Sequence, residues 1–288
     1  MFAQILISGM TMGCIYAMVG FGFALVFNST QIFNFAQGEF LMLGAMLHYT
    51  GTVLLRLPFA FSLILALATL SLVAIFIELV AISPLRKKSA SVIMMVLAFI
   101  AFSLLFKNVS EMIWGKYPLM VKGFFSQENF QIAGIMVQSQ SLAVMITTGI
   151  SLMILWLFFS KTMYGMAVLA SAYNMKRAYL CGVSVHTMII TSFVLSAATS
   201  ALAGAIVGPI SFISPSMGFE LGIKGFAAAV VGGMGSPVGA ILGGLLIGVL
   251  ESLLGCYVST AYSTLMAFTF MLLVLYIRPE GILGVASR

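Results

Sequence analysis

Long apolar runs separated by short polar interruptions recur along the whole chain. The first covers residues 5–27 and stops at Asn28-Ser29-Thr30. A second, 31–55, begins polar and turns apolar, and Arg56-Leu57-Pro58 closes it with a turn. Residues 57–82 are a clean run that ends near Glu78, and further runs occupy 91–106, 141–159, 187–210, 222–234, 235–254 and 260–277. Runs of about 20 apolar residues read as membrane helices rather than barrel strands. The run at 222–234 is the short one: its 13 residues reach about 20 Å as a helix, against a hydrocarbon core of about 30 Å. The pattern predicts an all-α polytopic membrane protein, with residues 1–288 as a single transmembrane domain. It has about 8–9 membrane segments, some of them discontinuous.

Small residues mark where these helices pack closely. Gly9, Gly13, Gly20 and Gly22 lie in the first run. Ser196, Ser200, Gly204 and Gly208 repeat at four-residue spacing in 187–210, and Gly235, Gly239 and Gly243 form a second ladder beside Gly244 and Gly248. Such ladders place small side chains on one face and let backbones approach.

Composition strengthens the membrane reading. The chain is 62% hydrophobic and 7% charged, where a soluble domain carries roughly 25% charged residues. A formal charge of +6, spread thinly over thirteen Lys and Arg, points to orientation in the membrane rather than to nucleic acid. Placing 83–90, 160–186 and 278–288 inside collects Arg86, Lys87, Lys88, Lys161, Lys176, Arg177, Arg278 and Arg288 there. Arg56, Lys107, Lys116, Lys122 and Lys224 are left outside or at an interface. Three crossings before 83–90 then put the N-terminus outside. The later count closes if 222–234 crosses partly unwound and 235–254 returns. No basic residue precedes Arg56, so the first run lacks a signal-peptide n-region and reads as a retained span. The three cysteines, Cys14, Cys181 and Cys256, are widely spaced and read as small packing residues.

Several chemistries are excluded. The chain contains no Asp, which removes aspartyl nucleophiles, bases and ligands. Gly115-Lys116 is followed by Tyr117, so no Walker loop exists, and the run from Gly232 to Gly239 does not fit a dinucleotide fingerprint. His48 and His186 stand apart, with no zinc spacing.

What remains is polar chemistry inside apolar runs. Asn34, Gln37 and Glu39 occur in NFAQGE beside a break between spans. They are candidates to line a substrate pathway or fix a broken helix; alternatively, Glu39 caps the first turn of the second span. A second break follows 187–210 at SFISPSMG, and Gly232 and Gly233 in the Gly-rich run 232–239, with Glu251 in a Gly-lined span, complete the candidate pathway set. Glu220 and Lys224, four apart, suggest a local pair.

The stretch 161–186 stands out as helix-length, moderately polar and basic. As one helix it sets Ser171, Asn174 and Arg177 on one side and Val168, Ala172, Met175 and Tyr179 on another. It suits either docking into a partner's groove or lying on the bilayer surface. With no fuel-consuming site on the chain, the residues suggest a transporter driven by an ion gradient or by a partner.

At NFAQGEFLMLGA, ISPSMGFELGIKGFAAAVVGGMGSPVGAILGGLLIGVLE and RPEGILG, the chain resembles the LivH-type permease subunits of bacterial branched-chain amino acid ABC importers. Gln37 stands where that family usually has His. The segment GMAVLASAYNMKRAYLCGV matches its cytoplasmic segment, with Leu169 in place of a common Arg and Tyr179 in place of a common Glu. The resemblance implies the ABC importer permease fold and the bacterial inner membrane. It implies a second, LivM-like permease, two ATP-binding subunits and a periplasmic solute-binding protein as partners. ATP and Mg would sit on the ATP-binding subunits, with no cofactor on this chain. Residues 161–186 would contain the coupling helix, with Gly165, Ala170, Ala172, Asn174, Ala178 and Gly182 contacting an ATPase. The alternative left by the residues alone is a stand-alone carrier with Glu39 or Glu251 as its proton or sodium site.

Overall fold

The structure is a computed structural model and describes residues 2–121, 123, 129–132, 135–259 and 262–284. Lys122 and Arg288 lie outside the described residues.

Among the described residues, six helices are long and apolar enough to cross a membrane: α1 (Phe2–Thr30), the continuous stretch Phe59–Lys87, α5 (Val92–Trp114), α6 (Ser139–Lys161), α9 (Val185–Val207) and α11 (Pro237–Tyr257). The second of these is α3 (Phe59–Ile77) joined through the π-helical turn Glu78–Ile82 to α4 (Ser83–Lys87). Three shorter helices complete the membrane part. They are α2 (Gln37–Tyr49), extended by a π-helical turn at Thr50–Leu54, α10 (Met217–Gly232) and α12 (Ser263–Ile277). Two more, α7 (Met163–Tyr173) and α8 (Met175–Leu180), lie between α6 and α9. The interval between the apolar runs at 91–106 and 141–159 contains regular structure. α5 continues to Trp114, and an antiparallel hairpin, β1 (Asn129–Ile132) with β2 (Ile135–Gln138), leads into α6.

The centre of the bundle is built by α1, α2, α9 and α10, whose buried residues include Tyr16, Met18, Phe40, Met42 and Phe193. In contrast, α5 and α6 bury little of their apolar surface and present residues such as Ile93, Leu104, Ile154 and Trp156 outward. Lipid is the natural neighbour for such a face.

Glycine sets the closest approaches. A Cβ on Gly9 or Gly13 would meet the backbone of α11 at Val249 or Leu245, and one on Gly244 or Gly248 would meet α1 at Ala17 or Gly13. α1 and α11 are therefore antiparallel and touch backbone to backbone. Gly239 and Gly243 instead face α10, at Gly232 and Ala228, so the second glycine ladder serves two neighbours rather than one. Gly235, counted in that ladder, lies outside α11 in open space. The ladder in α9 behaves as expected: Gly204 admits the backbone of α2 at Leu41 and Ala45.

The two ends of the bundle differ. At one end Asn28 donates to Gly235 O at 3.3 Å, and the amides of Ile282 and Leu283 donate to the carbonyls of Val231 and Gly232. The same end carries Arg86, Lys87, Lys88, Lys161, Lys176, Arg177 and Arg278. At the other, Trp114 Nε1 donates to Thr50 Oγ1 at 2.7 Å, and Leu119 bridges to Ile213. The first end is cytoplasmic by its basic excess, and α1 starts at the opposite, outer end.

Candidate functional site

Among the described residues, two membrane segments are broken, and their helical halves meet. After α1 ends, residues 31–36 turn back without helix, and α2 starts alongside Gly22. That point lies eight residues before the end of α1, about 12 Å into the bundle. Asn34 makes the turn: its Oδ1 accepts the Ala36 amide at 3.1 Å and its carbonyl accepts the Gln37 amide at 3.0 Å. On the other segment, Ser214-Pro215-Ser216 intervenes between Ile213, at the outer end, and the start of α10. Proline disfavours helix in the residue before it, so helix resumes only at Met217. α10 thus starts five residues earlier than the apolar run at 222–234 suggested. The half-helices cross at Gly38, Gly218 and Gly222, where no side chain fits: a Cβ on Gly38 would meet the Gly218 carbonyl and Gly222 Cα.

Gln37 is fully buried and bonded on every side. Its Nε2 donates to Ser200 Oγ at 2.6 Å and to Ser196 O at 3.1 Å, and its Oε1 accepts from Asn34 Nδ2 at 3.2 Å. Ser196 Oγ lies 2.7 Å from Gln37 Oε1 and 2.9 Å from Gly22 O. Gly22 is glycine because a Cβ there would collide with the Gln37 amide. Of the predicted pathway residues, Asn34 and Gln37 therefore fix the break in the span.

Glu39 behaves differently. It is 2% exposed; Oε1 accepts the Ser103 hydroxyl at 3.0 Å, and Oε2 has no hydrogen-bond partner among the described residues. It sits in the first turn of α2, and its Oε2 is close enough to α10 that a Cβ on Gly218 would lie 2.6 Å from it. Neither helix has a side-chain cap at its N-terminus. Two positive helix ends therefore face one carboxylate. The carboxylate borders a cavity of about 250 Å³ between α2, α5 and α10.

Glu251 lies elsewhere. It accepts from Tyr16 Oη at 2.7 Å through Oε2 and from Lys224 Nζ at 2.5 Å through Oε1. The ammonium also stands 5.7 Å from the Tyr16 ring centroid. Lys224 thus pairs across helices with Glu251, not locally with Glu220. The i, i+4 rule rewards a neighbour by a few tenths of a kcal/mol, whereas a charge at membrane depth needs a partner of opposite sign. This trio borders a second, open groove with Met12, Ser252 and Cys256. Gly232 and Gly233 line neither cavity: they form the inner turn between α10 and α11, packed on Gly239, Gly281 and Gly284, with Gly233 at φ 105°.

The basic stretch is two helices rather than one. Thr162 caps α7 by accepting the Gly165 amide at 3.0 Å, and Asn174 caps α8 by accepting the Arg177 amide at 3.0 Å. With the chain broken at Asn174, Ser171 turns inward and is buried while Asn174 and Arg177 stay exposed, so the shared side expected of them does not form. Gly165 presses against the backbone of Phe158 and Phe159, Ala178 is buried, Ala172 is half-buried, and Ala170 and Gly182 are exposed. Met163, Tyr164, Tyr173, Tyr179 and Leu180 are 63–88% exposed.

A further polar cluster went unread in the sequence. Glu78, fully buried, accepts from Arg86 Nη2 at 2.7 Å, with His186 Nδ1 at 3.8 Å. It places the turn after α3 between Arg86 of α4 and His186 in the first turn of α9. The available signal was an acid closing an apolar run before the densest basic cluster.

Broken half-helices meeting inside a glycine-packed bundle define a polytopic permease of the transporter type. Residues 5–275 match the family described as branched-chain amino acid transport system / permease component, and the chain belongs to that family. It is 30% identical to the high-affinity branched-chain amino acid transport system permease protein LivH of Escherichia coli (strain K12), covering 98% of this chain and 96% of that one. It is 31% identical to the corresponding protein BraD of Pseudomonas aeruginosa, with the same coverage. Among solved structures, PsaBC from Streptococcus pneumoniae in complex with Fab shares the fold: TM-score 0.52, 16% identity, 96% of this chain and 92% of that one. The chain is a multi-pass inner-membrane protein with the ABC importer permease fold.

Proposed function

We propose that this chain, as one permease domain over 1–288, carries branched-chain or other hydrophobic amino acids inward as part of an ATP-binding-cassette importer. Near-complete coverage by LivH and BraD supports the solute class. A periplasmic binding protein delivers the solute, a LivM-like permease stands beside this one, and two ATP-binding subunits sit below. ATP and Mg belong to those subunits, and this chain performs no chemistry of its own.

One observation carries the coupling. At the cytoplasmic end, α7 and α8 present Met163, Tyr164, Tyr173, Tyr179 and Leu180 outside the bundle, flanked by Lys161, Lys176 and Arg177. An apolar patch with a basic rim is an interaction surface. Gly165, Ala170, Ala172, Asn174, Ala178 and Gly182 shape it, and the ATPase grips it there. Movement passes to the membrane part through His186 and Glu78. The ion-coupled carrier loses half its basis, because Lys224 already neutralises Glu251.

The test is uptake by proteoliposomes holding this chain with its partner subunits. ATP and loaded binding protein are both expected to be required. Uptake that persists without the ATP-binding subunits, or that collapses with an uncoupler instead, overturns the reading.

A further inference from the structure

The cavity beside Glu39 combines three features. Its walls are apolar, supplied by Phe23, Phe35, Ile100, Leu104 and Phe226 among others. Its polar side chains are Glu39 and Ser103. Of these, Glu39 leaves one carboxylate oxygen buried with no hydrogen-bond partner among the described residues. A charge so placed is expensive unless something completes it.

The chemistry of the missing partner is constrained. A calcium ion takes six to eight oxygen ligands, and the cavity's side chains offer only the Glu39 carboxylate and the Ser103 hydroxyl. A neutral hydroxyl would satisfy Oε2 alone, and the two helix N-termini already offset part of the charge; an ammonium brings the donor and the remaining charge together. An alkyl ammonium fits: it donates to Oε2, and the carbon skeleton attached to it lies against the aromatic and aliphatic walls. The volume, about 250 Å³, equals that of about eight waters, enough for a small branched side chain with its α-ammonium. The position also suits transit: the carboxylate lies at membrane depth where the two half-helices cross, and the mouth of the cavity is rimmed by the exposed Phe219.

We propose that this cavity is a transit site for the amino acid, with Glu39 Oε2 accepting from its α-ammonium and the Phe/Ile/Leu walls holding its side chain. The proposal rests on the amino-acid reading given above and adds a location and a recognition group to it.

The test uses the assembled transporter in proteoliposomes, with leucine and valine as probes delivered by the binding protein. Glu39→Gln keeps the side chain's size and an acceptor for Ser103, while it removes the charge and replaces the Oε2 acceptor by an NH2 donor. It is expected to lower the maximal leucine uptake at least ten-fold, with the half-saturating concentration of loaded binding protein unchanged. Phe219→Trp narrows the mouth from an exposed position and is expected to lower leucine uptake at least three-fold more than valine uptake. Wild-type maximal uptake by an assembled Glu39→Gln transporter overturns the proposal. If that variant fails to co-elute with its partners, an unchanged leucine-to-valine ratio in Phe219→Trp overturns it. A wild-type transporter that takes up neither amino acid removes the proposed function together with the site, whereas normal wild-type uptake with insensitive variants removes the site alone.

Discussion

Single residues in this protein matter mainly where they are absent or where they are charged. Gly204 has no room for a side chain against Leu41 and Ala45, so Gly204→Val is expected to destabilise the purified protein by about 1–3 kcal/mol through overpacking. A lowered thermal midpoint in detergent checks this. Lys224 and Glu251 make the opposite case, since removing either leaves its partner without an opposite charge at membrane depth. Lys224→Ala and Glu251→Ala should each destabilise more than expected from the double variant, with a coupling of about 0.5–3 kcal/mol in a double-mutant cycle. This pair was half legible in the sequence. Glu251 showed itself as a polar residue in a glycine-lined run that needed a contact, but its cation is 27 positions away. The nearer Glu220 satisfied the local rule, and only the folding of α10 against α11 decides between them. Ser103 was invisible for a related reason: one hydroxyl in an apolar helix carries no signal until the carboxylate it bonds is placed.

Among elements, the long spans were readable because each is a continuous apolar run, and the breaks were readable because NFAQGE and SFISPSMG interrupt that pattern with amides, serine and proline. The cytoplasmic segment was read in outline and missed in detail. Its helical periodicity runs smoothly through Asn174, and nothing in the spacing reveals that the side chain of Asn174 caps a new helix instead of continuing the old one. The break lets α8 project Tyr179 and Leu180, 72% and 83% exposed, away from the bundle. Leu180→Glu is therefore expected to leave insertion and folding intact while reducing co-purification with the ATP-binding subunits several-fold. Gly182 ends this element at φ 83° with open space around it. Gly182→Val strains the backbone by about 1–2 kcal/mol without any clash, and is expected to raise ATP hydrolysed per amino acid carried. Measuring hydrolysis and uptake on the same vesicles checks it.

At the scale of the molecule, the membrane segments separate the two ends, and the basic residues choose between the two possible orientations. Cys181, exposed beside α8, is expected to react with a membrane-impermeant maleimide only after the cells are opened. A cysteine placed at Lys116, whose side chain is 81% exposed, should react in intact cells. The reverse pattern would invert the whole arrangement, including the place of α7 and α8. Charge counting supplies an expected orientation directly from the sequence. The meeting of the two half-helices was not legible there, because it depends on which glycine faces which backbone, and glycines announce proximity without naming the neighbour.

The seam between α1 and α11 is formed by Gly9, Gly13, Gly244 and Gly248, main chain laid on main chain. Sliding either rod by one residue would drive a neighbouring side chain into bare main chain, and Tyr16 bonded to Glu251 pins the same pair of helices. The two therefore behave as one welded strut, and any swing of the bundle has to hinge elsewhere.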